Sequence, residues 1–401
     1  MSIEPDTDTA RLLDAGNETI LFTANRPDIV MERGEGLYLW DTAGKKYLDF
    51  VGGWAVVCLG HSPFAIKKAL EKQAATLVNA SPAFYNRPMI EFAKRLTEIS
   101  RFDKVFFASS GAEANEGAIK LARKHGARNR SGAYEIITVK NGFHGRTLAT
   151  MSATGKQQWA HLYEPKVPGF LQVPFNDIEA MQAAVGSSTC AIMLELVQGE
   201  GGVRVAEEAY IAKLRQLCDE NGVLLIFDEI QTGLGRTGKM FAYEHYGIQP
   251  DIMTLGKGIG GGFPLSAVLT KAEYNLFEAG DQGGTYSGQP LAMAVGIAVL
   301  NEIIDQQLAD NAEQQGNYIL QRLEGMRSKY QFQRISGKGL LIAFDLQEAI
   351  GRELVEECMA EGLLINSPHP HTIRLIPPLT VSKAEIDDMF DILTRVMDKR
   401  Q

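Results

Sequence analysis

Cysteine is scarce in this 401-residue chain: four residues, at 58, 190, 218 and 358, with no CxxC pair. No histidine stands at metal-ligand spacing from them, so neither a disulfide framework nor a zinc site is expected. The four thiols read as buried or half-buried residues of a reducing cytosol. Positive charge is also short. Forty Lys and Arg face 49 Asp and Glu, a net charge of −9, which is the wrong sign for a nucleic-acid or anionic-membrane surface. Long apolar runs are missing: VLLIF at 223–227 is strand-sized and far below a membrane span. Met1–Ala10 carries Glu4, Asp6 and Asp8 and no Lys or Arg, so it lacks the basic start and apolar segment of a signal peptide. There is no internal repeat or low-complexity tract. The expectation is a cytoplasmic globular protein, long enough for two domains.

What is present is an alternation of helices and buried strands. Short strand-like pieces fill the first 50 residues: IVMERGEG, LYLWDTAG and KKYLDF. Helices are predicted near 64–78 and 87–100, then the strand KVFFAS (104–109), a helix from Gly111 to about His125, and EIITVK (135–140). AIMLELV (191–197), VLLIFDEI (223–230), DIMTLGK (251–257) and SAVLT (266–270) follow. Most are continuous apolar runs rather than alternating ones. Both faces of such strands are covered, as in a mostly parallel sheet between helices. The fold class is therefore α/β. The expected division is an N-terminal segment 1–50, a large domain 51–295 and a smaller α+β C-terminal domain 296–401. A helix at about 290–328 leads into the last, which closes with a helix from Lys383.

Two nucleotide-binding lookalikes fail on inspection. GKGIGG (256–261) satisfies GxGxxG, but Gly262, Phe263 and Pro264 interrupt the helix that a dinucleotide site needs. GLGRTGK (233–239) satisfies most of a P-loop, but Met240 stands where a Mg²⁺-binding hydroxyl belongs, and the acidic strand precedes it.

The same residues suit pyridoxal phosphate, which makes separate demands. Its phosphate seeks backbone N–H groups at a helix start, and FASSGAEANE (107–116) offers Ser110, Gly111 and Ala112. Its pyridine nitrogen acts as an electron sink only while protonated, which calls for a carboxylate; Asp228, at a strand's C-terminal end, is the candidate. Its aldehyde needs an amine, and Lys257, just past another strand, becomes easier to deprotonate in a desolvated cleft. The freed amine can then carry the proton transfer. Phe143 offers an aromatic face to the ring. A surface carboxylate and a solvated loop lysine are the plain alternatives for Asp228 and Lys257 taken singly.

With SGAEANE (110–116), FHGRT (143–147), QGEGG (198–202), FDEIQTGLGRTG (227–238), TLGKGIGGG (254–262) and GGTYSGQPL (283–291), the sequence resembles the class III aminotransferases, the group of acetylornithine and ornithine aminotransferases. The likeness runs from LYLWDTAGKKYLDF through GHSP (60–63) to IRLIPPLT (373–380), nearly the whole chain. It implies a pyridoxal-phosphate-dependent transferase of fold type I: a homodimer whose large domain holds a seven-stranded sheet, with active sites shared at the interface. Lys257 resembles the lysine that binds the cofactor aldehyde and Asp228 the pyridinium partner, with Gln231 near the phenolic oxygen. Gly111 and Ala112 resemble the phosphate turn, Phe143 the stacking aromatic, and Thr285 the threonine that reaches the phosphate from the other subunit. Arg146 and Arg374 resemble the two arginines for substrate carboxylates, and Glu200 the acid that pairs with the second.

The implied reaction moves the δ-amino group of N2-acetylornithine, or a related ω-amino acid, to 2-oxoglutarate. Ornithine, succinylornithine and 4-aminobutyrate transaminases share most of these motifs, and the amine is left open. Trp54, Phe84 and Tyr85 are candidate pocket aromatics. The chain departs from the family pattern at Gln289, where Asn is common, and at Gly284, where Ser often precedes the interface threonine and would touch substrate.

Overall fold

The apolar runs assemble into one central sheet of seven strands. Its order is Lys104–Ala108, Ser266–Thr270, Ile252–Leu255, Leu224–Asp228, Thr189–Leu194, Glu135–Val139, Phe170–Val173. The computed structural model describes residues 7–400, so the acidic Glu4 and Asp6 lie outside the described residues. Every residue of the four strands Thr189–Leu194, Leu224–Asp228, Ile252–Leu255 and Ser266–Thr270 is buried, which is why their sequences are apolar throughout rather than alternating. Only Ser266–Thr270 runs antiparallel to its neighbours. Six strand C-termini therefore open on one edge, where parallel sheets gather ligand-binding loops.

One face of the sheet is covered by the helix Gly111–Asn129, whose Ala114, Ala118, Ile119, Leu121 and Ala122 pack with Ile136, Met193, Ile226, Ile252 and Val268. Small alanines let this helix lie close. At Gly126 an added Cβ would overlap the Ala133 carbonyl, so glycine is the residue that fits there.

Beyond the large sheet, a four-stranded antiparallel sheet orders Arg334–Lys338, Leu341–Asp345, Thr372–Leu375 and Asn366–His369, with helices Leu308–Tyr330, Gly351–Ala360 and Lys383–Asp398 around it. The N-terminal meander Met31–Glu35, Tyr38–Asp41, Lys46–Asp49 gains a fourth strand from far along the chain, Leu363–Leu364, parallel to Lys46–Asp49. The single helix expected at 290–328 is two, Pro290–Asp305 and Leu308–Tyr330, broken where Gln307 takes a left-handed conformation, φ 53°. Pro290 starts the first of them at a position that needs no N–H donor, and that helix runs across the boundary expected at 295. Among the described residues no single helix is long and apolar enough to cross a membrane.

Candidate active site

Asp228 is the last residue of its strand and pairs in register with Thr254 on the neighbouring parallel strand. Lys257 follows three residues after that partner, so the two functional groups emerge side by side at the C-terminal edge. Asp228 is buried and saturated with donors: its Oδ2 accepts from Asn115 Nδ2 and His144 Nδ1, both at 2.8 Å, and its Oδ1 from Ile230 N at 3.1 Å. Lys257 is partly buried with φ 47°. A lysine held in the left-handed region is strained, and such strain persists where the surroundings over-determine it. Desolvation pulls the Lys257 amine below the usual lysine range, against the opposing charges of Glu200, Asp228 and Glu195.

Asn115 and His144 carry no mark of their own in the sequence. Asn115 Nδ2 lies within reach of both the His144 carbonyl (2.7 Å) and Asp228, so it ties helix, loop and strand end together. Burial pulls the His144 imidazolium down, but the hydrogen bond and charge of Asp228 and the charge of Glu195 outweigh it, and His144 titrates above an ordinary imidazole. Glu195 is a second buried carboxylate here; burial raises it to about 7, and its Oε2 accepts the Phe143 N–H at 2.8 Å. Both new residues sit inside segments already marked. Asn115 stands four residues after Gly111, on the same face of the helix, and that spacing was the available signal.

The helix starting at Gly111 has Ser110 as its N-cap and a complete capping box with Glu113, an arrangement that contributes about 1 kcal/mol. Glu113 Oε2 accepts the N–H of Ser110 at 2.7 Å and of Ser109 at 3.0 Å. The Ser110 N–H is thus engaged within the cap. Gly111 and Ala112 lie in the first turn, where N–H groups have no acceptor within the helix. Gly111 is required by packing, since a Cβ would stand 2.9 Å from Ile230 Cδ1. Gly145 of the FHGRT loop would likewise bring a Cβ to 2.9 Å from that of Ala112, so this loop and the helix start are in direct contact.

On the opposite wall, Arg374 is fully buried in the strand Thr372–Leu375. Asn366 Oδ1 accepts from its Nε at 3.1 Å and its Nη2 at 2.7 Å, and Nη1 lies 2.8 Å from Glu200 Oε1. Glu200 Oε2 receives a hydrogen bond from Lys156 Nζ at 2.9 Å. Burial pushes the Glu200 carboxyl up, but Arg374 and Lys156 more than offset it and hold it at about 2. Gln231 donates from Nε2 to the Trp54 carbonyl at 3.3 Å, while its Oε1 is buried with no partner. A Cβ on Gly199 would overlap that oxygen. Phe143 is half-buried, edge-on to Trp159 at 5.9 Å between ring centroids. Arg146 is exposed, its guanidinium 4.4 Å from the Trp159 ring centroid. Thr285 and Gly284 are exposed in the loop before Pro290, and among the described residues no hydrogen bond joins Thr285 to the cleft.

Residues 22–397 match the family described as Aminotransferase class-III. The chain belongs to that family. Among its curated relatives, acetylornithine aminotransferase 2 of Bordetella pertussis is 50% identical over 375 residues, 93% of this chain and 95% of that protein. The acetylornithine aminotransferase of Caldanaerobacter subterraneus is 47% identical over 382 residues, 95% of this chain and 97% of that protein. Two solved structures are close in shape. The ornithine aminotransferase of Toxoplasma gondii has a TM-score of 0.93 at 30% identity, covering 98% of this chain and 96% of its own. The acetylornithine aminotransferase of Elizabethkingia anophelis has 0.87 at 33%, covering 98% and 99%.

In this aminotransferase the nucleotide lookalikes have structural work. Gly256 leads into a short 3-10 turn at Lys257–Ile259 rather than an α-helix. Arg236, in the middle of GLGRTGK, is fully buried and donates to the carbonyls of Leu340 and Pro377. That loop therefore joins the large sheet to the C-terminal sheet and does not open onto a phosphate.

Proposed function

We propose that this aminotransferase moves the δ-amino group of N2-acetylornithine, or of a related ω-amino acid, to 2-oxoglutarate, giving glutamate and a semialdehyde, as a step of arginine biosynthesis in the cytoplasm. The observation that carries the reading is a buried arginine paired with Glu200, within electrostatic reach of a desolvated lysine that stands beside Asp228. The four cysteines are free and buried, which suits a reducing compartment.

Pyridoxal 5′-phosphate is the family's cofactor, and the residues present fit it. A lysine of lowered pKa, a buried aspartate hydrogen-bonded at a strand end, the partnerless Gln231 Oε1 and a glycine-led helix start are the features such a group needs. When bound, it supplies an electron-withdrawing ring that stabilises negative charge at the substrate carbon bearing nitrogen. In this reading Lys257 holds the cofactor and then moves the proton between substrate carbon and cofactor. Asp228 keeps the ring nitrogen protonated, Gln231 faces the phenolic oxygen, Phe143 covers the ring, and Gly111 and Ala112 receive the phosphate. In this reading Lys257 belongs to the large domain and Arg374 to the smaller C-terminal one.

The proposed active unit is a homodimer, with Thr285 serving the phosphate of the neighbouring subunit. Two features support it. The exposed apolar side chains Phe84, Tyr85, Ile90 and Tyr286 flank the Thr285 loop, and Asn86 Nδ2 bonds the Gly288 carbonyl at 2.9 Å, joining the two segments. Neither Lys257→Ala nor Thr285→Ala homodimers have an intact site. Mixing them should regenerate heterodimers with one native site, read as recovered turnover. Full activity in an isolated monomer would contradict the shared site.

Two unlike substrates must use the same cleft. Glutamate presents a carboxylate on the reacting carbon, which Arg374 would grip as a bidentate fork. An ω-amine presents none there, and an unpaired buried guanidinium is costly, so Glu200 takes its place. Arg146 would hold the distant carboxylate of the amine. Glu200→Gln should therefore retain or improve the glutamate half-reaction and weaken the ω-amine half-reaction, measured separately by stopped-flow absorbance of the cofactor. Equal losses in both would mean a fixed ion pair. The donor itself is tested by a panel of N2-acetylornithine, ornithine, succinylornithine and 4-aminobutyrate against 2-oxoglutarate. The highest kcat/KM is expected for N2-acetylornithine; a preference for ornithine would favour the second reading, which the Toxoplasma gondii likeness supports.

A further inference from the structure

Glu200 stands in the short link between the strands Val197–Gln198 and Arg204–Val205, flanked by Gly199, Gly201 and Gly202, and it keeps a quarter of its side chain exposed. Arg374 is the opposite case. It is buried in the middle of a sheet, with two hydrogen bonds to Asn366 behind it. If one member of this pair moves, it is Glu200.

Glu200 has two cationic partners, one at each oxygen. Lys156 Nζ donates to Oε2 at 2.9 Å. Arg374 Nη1 lies 2.8 Å from Oε1. Lys156 is itself firmly placed. Gly155, just before it, is locked into the loop after the strand Glu135–Val139, donating to the Gly142 carbonyl at 3.0 Å and accepting from Asn141 N at 2.9 Å. A Cβ at Gly155 would overlap the Val139 carbonyl. The Lys156 ammonium lies 5.2 Å from the Phe143 ring centroid and 5.0 Å from that of Trp159, a geometry that attracts a cation. Its side chain is only 13% exposed.

A carboxylate that leaves Arg374 inside this cleft needs another counter-ion, or it must be buried unpaired. We propose that Lys156 is that counter-ion: a positioning residue that retains Glu200 when Arg374 is handed to a substrate carboxylate, and so sets specificity for the dicarboxylate half-reaction. The proposal rests on the exchange of Glu200 described above. Lys156 acts through Glu200 rather than on substrate. Its removal should leave the Glu200–Arg374 pair intact and disfavour only the state in which they part.

The test uses the dimeric, cofactor-loaded enzyme and follows each half-reaction in single turnover. Lys156→Met keeps the apolar stem and removes the charge. It should weaken apparent binding of glutamate and 2-oxoglutarate about tenfold, as expected for one partner lost from a mostly buried ion pair. The N2-acetylornithine half-reaction should change by less than about twofold, and Lys156→Arg should recover most of the loss. In a Glu200→Gln background, Lys156→Met should have no further effect. A selective response to Glu200→Gln with none to Lys156→Met would overturn the role of Lys156 alone. Equal effects of Glu200→Gln on both half-reactions would remove the exchange itself, and the proposal with it. A Lys156→Met loss that persists without the Glu200 charge would show that Lys156 meets substrate directly, against the proposal.

Discussion

Lys257→Ala is expected to reduce turnover by about 10⁴-fold or more, ~5.5 kcal/mol of barrier, because one side chain is lost from two tasks: holding the cofactor and moving the proton. The structure explains why no neighbour substitutes. The Lys257 backbone is held at φ 47° in a glycine-rich turn whose Gly256 would bring a Cβ within 3.0 Å of Ile230 Cγ2, so its amine is aimed by a conformation few residues adopt. Folding should survive, since a lysine that desolvation already makes easier to neutralise loses little when truncated. Turnover assays with a thermal melt check both halves. Retained activity in Lys257→Ala would contradict the assignment.

The second large effect is expected at Asp228. Asp228→Asn should cost about 10²-fold or more in turnover, ~3 kcal/mol, because the amide brings no charge to hold a proton on the ring nitrogen. The amide conserves volume and can still accept from Ile230 N, but its NH₂ would face the buried donors of Asn115 and His144. Stability should therefore also fall, by about 1–3 kcal/mol, which a thermal melt reads apart from turnover. An independent readout is available in His144. Its titration lies above the ordinary range because Asp228 and Glu195 outweigh its burial; without the Asp228 charge, desolvation gains and the His144 value should fall, visible by NMR. Near-normal turnover, or a His144 titration that does not move, would argue against the ion-paired arrangement.

Much of the central fold was legible from local pattern. Strands such as Leu224–Asp228 and Ser266–Thr270 are buried along their full length, and a run of apolar residues announces that condition directly. Phe170–Val173 escaped because it is a four-residue edge strand, half-exposed along much of its length, with no apolar run to mark it. The break at Gln306–Gln307 escaped because nothing in the sequence there is a glycine or proline to mark the left-handed turn at Gln307.

The site divides in the same way. Asp228, Lys257 and the helix start at Gly111 are readable because each sits at a strand or helix end, where local pattern locates backbone termini. Asn115 and His144 meet Asp228 from 113 and 84 residues away, and Asn366 meets Arg374 across neighbouring strands of a sheet whose pairing no single segment encodes. Lys156 had no local mark at all. Its partner stands 44 residues on, and only the folded loop brings the two together.

Lys257 is the residue on which every other proposed role depends. The most direct measurement is borohydride reduction of the cofactor-loaded protein, followed by proteolysis and mass mapping. The result expected is a pyridoxyl group on the peptide containing Lys257 and on no other lysine; finding it at another lysine, or none bound at all, would contradict the account.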